Sequence, residues 1–271
     1  MLIAMKKCIA MFTSVVKPSE KHREVNKWQK RRICSTGRRE KPPADQSALC
    51  NNDKNQLQSG DIMPTRNKIR LLADQYADRL KNAIDGRMTE MHGDETSHYL
   101  IYRVLGVQET EGHLIDVYQN KGRFLYKYAG SFLEAVSKLC FKEAFPDSGS
   151  LRVTNTRGIR PKTFEIDCLV GNDALEIKWK DATTDGDHIT KEHTRIQVIS
   201  EAGYIPIRIM FYYPNRAQAI RIQETLQTLY QGIGGEYYHG EAAWEYVRSR
   251  TEIDLKAILE EIADERGRVT I

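Results

Sequence analysis

Asp167, Glu176 and Lys178 fall within one short stretch, FEIDCLVGNDALEIKWK (164–180), in the spacing D-x8-E-x-K. The stretch reads as two strands joined by a tight turn, so period-two alternation decides which side chains can meet. Phe164, Ile166, Cys168 and Val170 share one face of the first strand, with Glu165 and Asp167 on the other. On the second strand Leu175, Ile177 and Trp179 oppose Glu176, Lys178 and Lys180. Gly171-Asn172 forms a two-residue hairpin loop, with glycine at the position that needs a positive φ. That loop pairs Val170 with Asp173. Counting outward, it pairs Cys168 with Leu175, Asp167 with Glu176 and Glu165 with Lys178. Two carboxylates directly opposite, about 5 Å apart at Cβ, destabilise a sheet. A divalent cation between them reverses that sign.

Hard cations such as Mg²⁺ bind through a few carboxylates, waters and substrate phosphate oxygens. They lower the pKa of a bound water and screen phosphate charge. A lysine two residues past the second acid, on the same face, can hold that water and stabilise charge in the transition state. The competing reading is an exposed charged hairpin face with an incidental Glu165–Lys178 pair.

The elements around the hairpin must place it in a core. A helical stripe of Ile69, Leu72, Tyr76, Leu80 and Ile84 runs over 64–85 and is expected to stop at Gly86. Segments 98–107 and 113–130 read as strand-like runs mixed with turns. A helix follows over 130–145, with Phe132, Ala135, Val136, Leu139 and Phe141 on its apolar side and Pro146 as its stop. A strand is expected over 150–157, then the hairpin, then a helix from about 187 to a cap at Gly203. The run IPIRIMFYYP (205–214) reads as a buried strand. Helices close the chain over 217–230, 241–249 and 252–264. The core order is helix, three strands, helix, strand. The fold class is α/β, a mixed central sheet flanked by helices, with added N- and C-terminal helices.

This order and the Ile166-Asp167…Glu176-Ile177-Lys178 set resemble the PD-(D/E)xK nuclease superfamily, whose core is αβββαβ. Isoleucine stands where the family's name has proline. The stretch FEIDCLVGNDALEIKWKDATTDGDHITKEHTRI and the later GGEYYHGEAAWEYVRSRTEIDL resemble ApaLI-type type II restriction endonucleases. The resemblance covers 121–255 and none of 1–61. It implies that Asp167 and Glu176 ligate Mg²⁺ with help from the Ile177 carbonyl, and that Lys178 activates water. It also implies that Glu134, on the preceding helix, is an auxiliary acid; the alternative is a solvated helix residue. The implied activity is hydrolysis of double-stranded DNA at a short palindromic, GTGCAC-like site by a homodimer. Two other readings are a repair or structure-selective nuclease on the same fold and a non-catalytic DNA-binding module.

Candidate DNA contacts lie on either side of the hairpin. Arg152, Asn155, Arg157 and Arg160 precede it, and arginine and asparagine can read base edges. Lys180 ends the second strand. His188, Lys191 and Arg195 share one face of the following helix, which suits either phosphate or solvent. Asp181, Asp185 and Asp187 could cap that helix or bind a second cation.

Composition sets the remaining bounds. The chain has 271 residues, 40% of them hydrophobic, and no apolar run long enough to span a membrane. Five cysteines at irregular spacing give no zinc signature, and a reducing cytoplasm is the expected setting. Residues 1–62 carry 13 lysines and arginines against 6 acids, leaving 28 against 31 in the rest. The basic balance therefore belongs to the leader and is no argument for nucleic-acid binding by the folded part. The leader is polar and aperiodic. It is expected to be a disordered extension upstream of a start at Met63, with 63–271 as one nuclease domain. A secretory signal and a basic nucleic-acid-binding tail are the competing readings of it.

Overall fold

The computed structural model describes residues 63–180 and 187–269. The leader, Asp181 and Asp185 lie outside them, as does the side chain of Asp187. The described elements, in chain order, are α1 (Thr65–Met91), α2 (Tyr99–Val104), α3 (Glu109–Ala144), β1 (Gly149–Thr154), β2 (Thr163–Val170), β3 (Asp173–Lys180), α4 (Asp187–Glu201), β4 (Ile205–Tyr212), α5 (Ala217–Gly232), β5 (Glu236–His239), α6 (Glu241–Thr251) and α7 (Leu255–Val269). The strands form one mixed sheet in the order β1-β2-β3-β4-β5. β1, β2 and β3 form an antiparallel meander, and β4 and β5 add on in parallel. Each parallel addition needs a crossover, which α4 and α5 supply.

The α/β class and the core order stand as the sequence pattern implies. The largest departure is at 98–107 and 113–130, which are mainly helical and not strand-like. Most of it belongs to α3, a single 36-residue helix that also contains the expected 130–145 helix. Aromatic and β-branched residues gave the segment its strand character. Gly122 and Gly130 both sit inside the helix, where glycine costs only about 1 kcal/mol. Gly86 likewise fails to end α1, which runs on to Met91. β5 has four residues, too few for an alternation signal.

Alternation sorts β4 cleanly. Ile207, Ile209 and Phe211 join Leu133, Val136, Cys140 and Phe141 of α3 in the main core, which also takes in α6 and α7. Arg208 and Met210 point to the other face, where Met210 packs with Ile196 of α4 and Leu226 and Tyr230 of α5. No helix among the described residues is long and apolar enough to cross a membrane.

Candidate active site

The hairpin turn has the expected register, with Val170–Asp173, Leu169–Ala174 and Cys168–Leu175 as partners. Gly171 takes φ +60°, the conformation the two-residue loop demands. Beyond Cys168 the β2–β3 ladder opens, and the cause lies on the other edge of β2. The β1–β2 register slips by one residue between the Gly149–Leu169 and Leu151–Ile166 pairs. β2 therefore carries an extra residue at Asp167-Cys168, a bulge that re-aims the side chains beside it.

The bulge corrects the expected alternation of β2. Cys168 and Val170 pack in the main core beside α3, whereas Ile166 packs with Ala174 and Ile199 of α4. Asp167 is turned into the opened ladder. Its Oδ2 accepts the Ile177 backbone N–H at 2.8 Å, taking the place of a strand carbonyl. Lys178 Nζ lies 3.8 Å from Asp167 Oδ2 and forms a salt bridge with Glu176 Oε1. The acid–acid–lysine set thus converges. Glu165 does not face Lys178; it pairs across β1 with Arg152 at 3.1 Å.

The two acids differ in surroundings. The side chain of Asp167 is 13% exposed and that of Glu176 9%, beside a 36% exposed Lys178. Glu176 points to the α4 face, where its Oε2 forms a salt bridge with Arg195. Burial pushes the Glu176 carboxyl up from the usual range, against the pull of Arg195 and Lys178. Arg195 also donates to the Glu165 carbonyl at 2.8 Å and lies 3.2 Å from Glu192 Oε1. Arg208 Nη1 lies 3.2 Å from the same oxygen, and Tyr230 Oη donates to it at 2.5 Å. Burial alone would raise the Glu192 carboxyl, but Arg195, Arg208 and Tyr230 hold it at about 2. Burial drives the Tyr230 phenol well above its usual value.

This buried ionic cluster went unread in the sequence, and it corrects the placement of Arg195. Arg195 is buried against Glu176 and does not face solvent phosphate. A signal existed. Glu192 and Arg195 share a helical stripe with the buried Ile196 and Ile199, and Arg208 interrupts an otherwise apolar strand. Asn155 is corrected too. Its amide donates to the Pro161 carbonyl at 2.9 Å and accepts from the Arg157 N–H at 3.0 Å, so it closes the β1–β2 loop. Arg157 ties that loop to α4, with Nε 2.9 Å from Glu201 Oε1 and Nη1 3.1 Å from Gln197 Oε1. Lys180 and Lys191 are exposed.

Two cavities flank the acids. One, of about 430 Å³, is lined by Tyr126, Glu134, Lys178, Trp179, Lys180 and His188. It holds Lys178 together with the expected auxiliary acid Glu134, whose Oε1 lies 2.7 Å from Lys138 Nζ. The other, of about 670 Å³, lies where α1 and α3 meet β2 and is lined by Lys68, Lys138, Lys142 and Asp167. Burial opposes a charged Lys138, but its bond to Glu134 wins and raises its pKa.

Among the described residues no three histidine, cysteine or acidic side chains converge as metal ligands. Two carboxylates with room for water and phosphate fit Mg²⁺. They do not fit a zinc site, which needs more nitrogen or sulfur donors. The Lys178 ammonium reaching both acids marks the same demand for positive charge.

A model of the ApaLI-like restriction endonuclease family matches residues 53–264. The chain belongs to this family. The match takes in the hairpin, the helix carrying Glu134 and the buried cluster. It begins at residue 53, inside the segment for which the sequence reading found no resemblance. No curated protein and no solved structure matches the chain at a significant level. As a member of this restriction endonuclease family the protein is a DNA-binding nuclease, a phosphodiester hydrolase.

Proposed function

We propose that this restriction endonuclease is a type II enzyme, hydrolysing both strands of double-stranded DNA at a short palindromic site as an Mg²⁺-dependent homodimer in the cytoplasm. The observation that carries the reading is the convergence of Asp167, Glu176 and Lys178 where the ladder opens. Asp167 and Glu176 would hold Mg²⁺, with the Ile177 carbonyl assisting. The ion supplies, when bound, charge screening at the phosphate and a more acidic water.

The chain's own groups do the rest. Lys178 Nζ donates to the attacking water and to the negative charge that grows on the phosphate oxygens, acting mainly in the transition state. The Ile177 N–H fixes the rotamer of Asp167. Arg195 engages Glu176 Oε2, leaving Oε1 on the side of Lys178 and the cleft. Glu134 is the auxiliary acid at the cleft wall, where it can orient a water or a second ligand shell. Lys180 and His188 line the same opening, Lys191 is exposed one turn further along α4, and all three are suited to backbone phosphates, which position the duplex.

Phage DNA digested with Mg²⁺ and sequenced at its ends tests the reading. Ends at one recurring short palindrome are expected. Random or junction-limited nicks would contradict site-specific restriction, and the absence of any cleavage with Mg²⁺ or Mn²⁺ would contradict the enzyme.

A further inference from the structure

Helix α3 spans about 54 Å, and only its C-terminal half lies over the sheet. Ile115 and Tyr118 stand five helical turns, about 27 Å, before Leu133 and Val136, and so share their azimuth. Leu133 and Val136 are buried in the core. The same apolar stripe continues past the sheet through Leu114, Ile115, Tyr118, Leu125 and Tyr126, all exposed.

Other sides of this projecting half are covered. Arg87 near the end of α1 reaches Asn120 at 3.4 Å. α2 packs through Tyr102, whose ring lies so close to Gly112 that an added Cβ would sit 2.5 Å from it. Tyr102 also donates to Asp116 at 3.1 Å. The outward side of α2 is apolar as well, with Leu100 and Ile101 exposed, Val104 73% exposed and Leu105 74%. On α3, Tyr118 is 68% exposed. The arm is therefore built and ordered, yet bare along its apolar sides.

We propose that this arm, α2 with the N-terminal half of α3, is the docking surface for a second copy of the chain. The choice of a second copy rests on the dimeric reading above. Size supports it. At about 200 Å² for a large side chain, the bare apolar residues offer on the order of 1,000 Å² per arm, against roughly 800 Å² per partner in a standard interface. On α3 the stripe residues Ile115, Tyr118, Gly122, Leu125 and Tyr126 carry no charge, so two copies can meet along it about a two-fold axis without opposing like charges. The stripe also runs to the active site. The Tyr126 ring meets the Trp179 ring edge-on at 5.1 Å, and both line the cleft that holds Lys178. A partner seated on the stripe would border the cleft.

Light scattering on the full chain at micromolar concentration tests this. The native protein is expected at twice 31.2 kDa. The double variant Ile115→Glu, Tyr118→Glu should weaken self-association by about 10²-fold or more, because both charges would enter an apolar contact. Its helical circular dichroism and thermal midpoint should stay native-like, since both side chains face solvent in one copy; Leu125→Lys, on the same stripe, gives a second check. On a cognate plasmid the monomer should leave nicked circles where the native enzyme leaves linear DNA. A native chain of 31.2 kDa overturns the proposal and the dimeric part of the reading above, while leaving the hairpin chemistry intact. A folded double variant that stays dimeric overturns the arm alone. Sedimentation of a monomeric native chain with phosphatidylcholine–phosphatidylglycerol vesicles would make a membrane the occupant, and also overturns it.

Discussion

On one face of the sheet Cys168, Val170, Leu175 and Ile177 pack against Leu133, Val136, Cys140 and Phe141 of α3. On the other face Glu176, Glu192, Arg195, Arg208 and Tyr230 are buried together, beside two smaller apolar clusters. The α3 face holds the fold by removing apolar surface from water, at about 25 cal/mol per Å². The α4 face works against desolvation, since buried ion pairs often contribute no more to stability than apolar residues of the same volume. The charges stand behind Glu176, an acid of the proposed active site. The α3 face supplies the net stability, while the charges of the α4 face add little to it as a set, are costly to break singly, and hold one oxygen of Glu176 in place.

The largest expected effect on stability comes from breaking the charged side. Arg208→Met leaves Glu192 short of a cation in the interior and should cost about 3–5 kcal/mol, read from denaturant unfolding. A loss below 1 kcal/mol would mean that water reaches the cluster. Leu133→Ala on the α3 face should cost a comparable 2–5 kcal/mol through the cavity it leaves, but the remaining folded enzyme should cleave at the native rate per molecule. If Leu133→Ala lowers the rate as much as the stability, the two faces do not divide the work.

Acid separates the faces next. Glu192 sits at about 2 in the folded protein against 4.5 ordinarily, so its contribution is present above pH 4.5 and is lost as the pH falls towards 2. The unfolding free energy should drop by a few kcal/mol across that window, and the drop should flatten in Glu192→Gln. Glu176 carries the opposite sign. Its raised value makes the folded state hold a proton longer, so it opposes stability as the pH rises above 4.5. An equal acid slope in native protein and Glu192→Gln would show that Glu192 does not set the acid limb. The smallest effect belongs to the rim. Arg152 and Glu165 are exposed partners across β1 and β2, and Arg152→Ala should change stability by less than about 1 kcal/mol in melting experiments.

The hairpin was legible because period two and a Gly-Asn loop fix a register by themselves, and Val170–Asp173 is where counting puts it. The convergence of Asp167, Glu176 and Lys178 was legible for the same reason. Its geometry was not, since the bulge at Asp167-Cys168 depends on how β1 pairs with β2. Arg195 read as a phosphate contact because a cation on a helix face is usually solvated. Its burial follows from Glu192 and Arg208 arriving from two elements, one of them a strand further along the chain. Asn155 read as a base-reading amide, while its partners are loop backbone groups that composition does not reveal. The length of α3 was hidden because its N-terminal half, with aromatic and β-branched residues at short intervals, reads as strand-like runs and turns.

Lys178→Ala separates the proposed chemistry from the fold, because this partly exposed lysine meets Glu176 at the cleft and lies outside the core. Single-turnover cleavage of one cognate oligonucleotide in Mg²⁺, set beside gel shifts in Ca²⁺, separates the step from binding. Cleavage should fall by about 10²–10³-fold with DNA affinity nearly unchanged. A variant that cuts at close to the native rate would place the chemistry elsewhere and contradict the assignment of this hairpin as the nuclease centre.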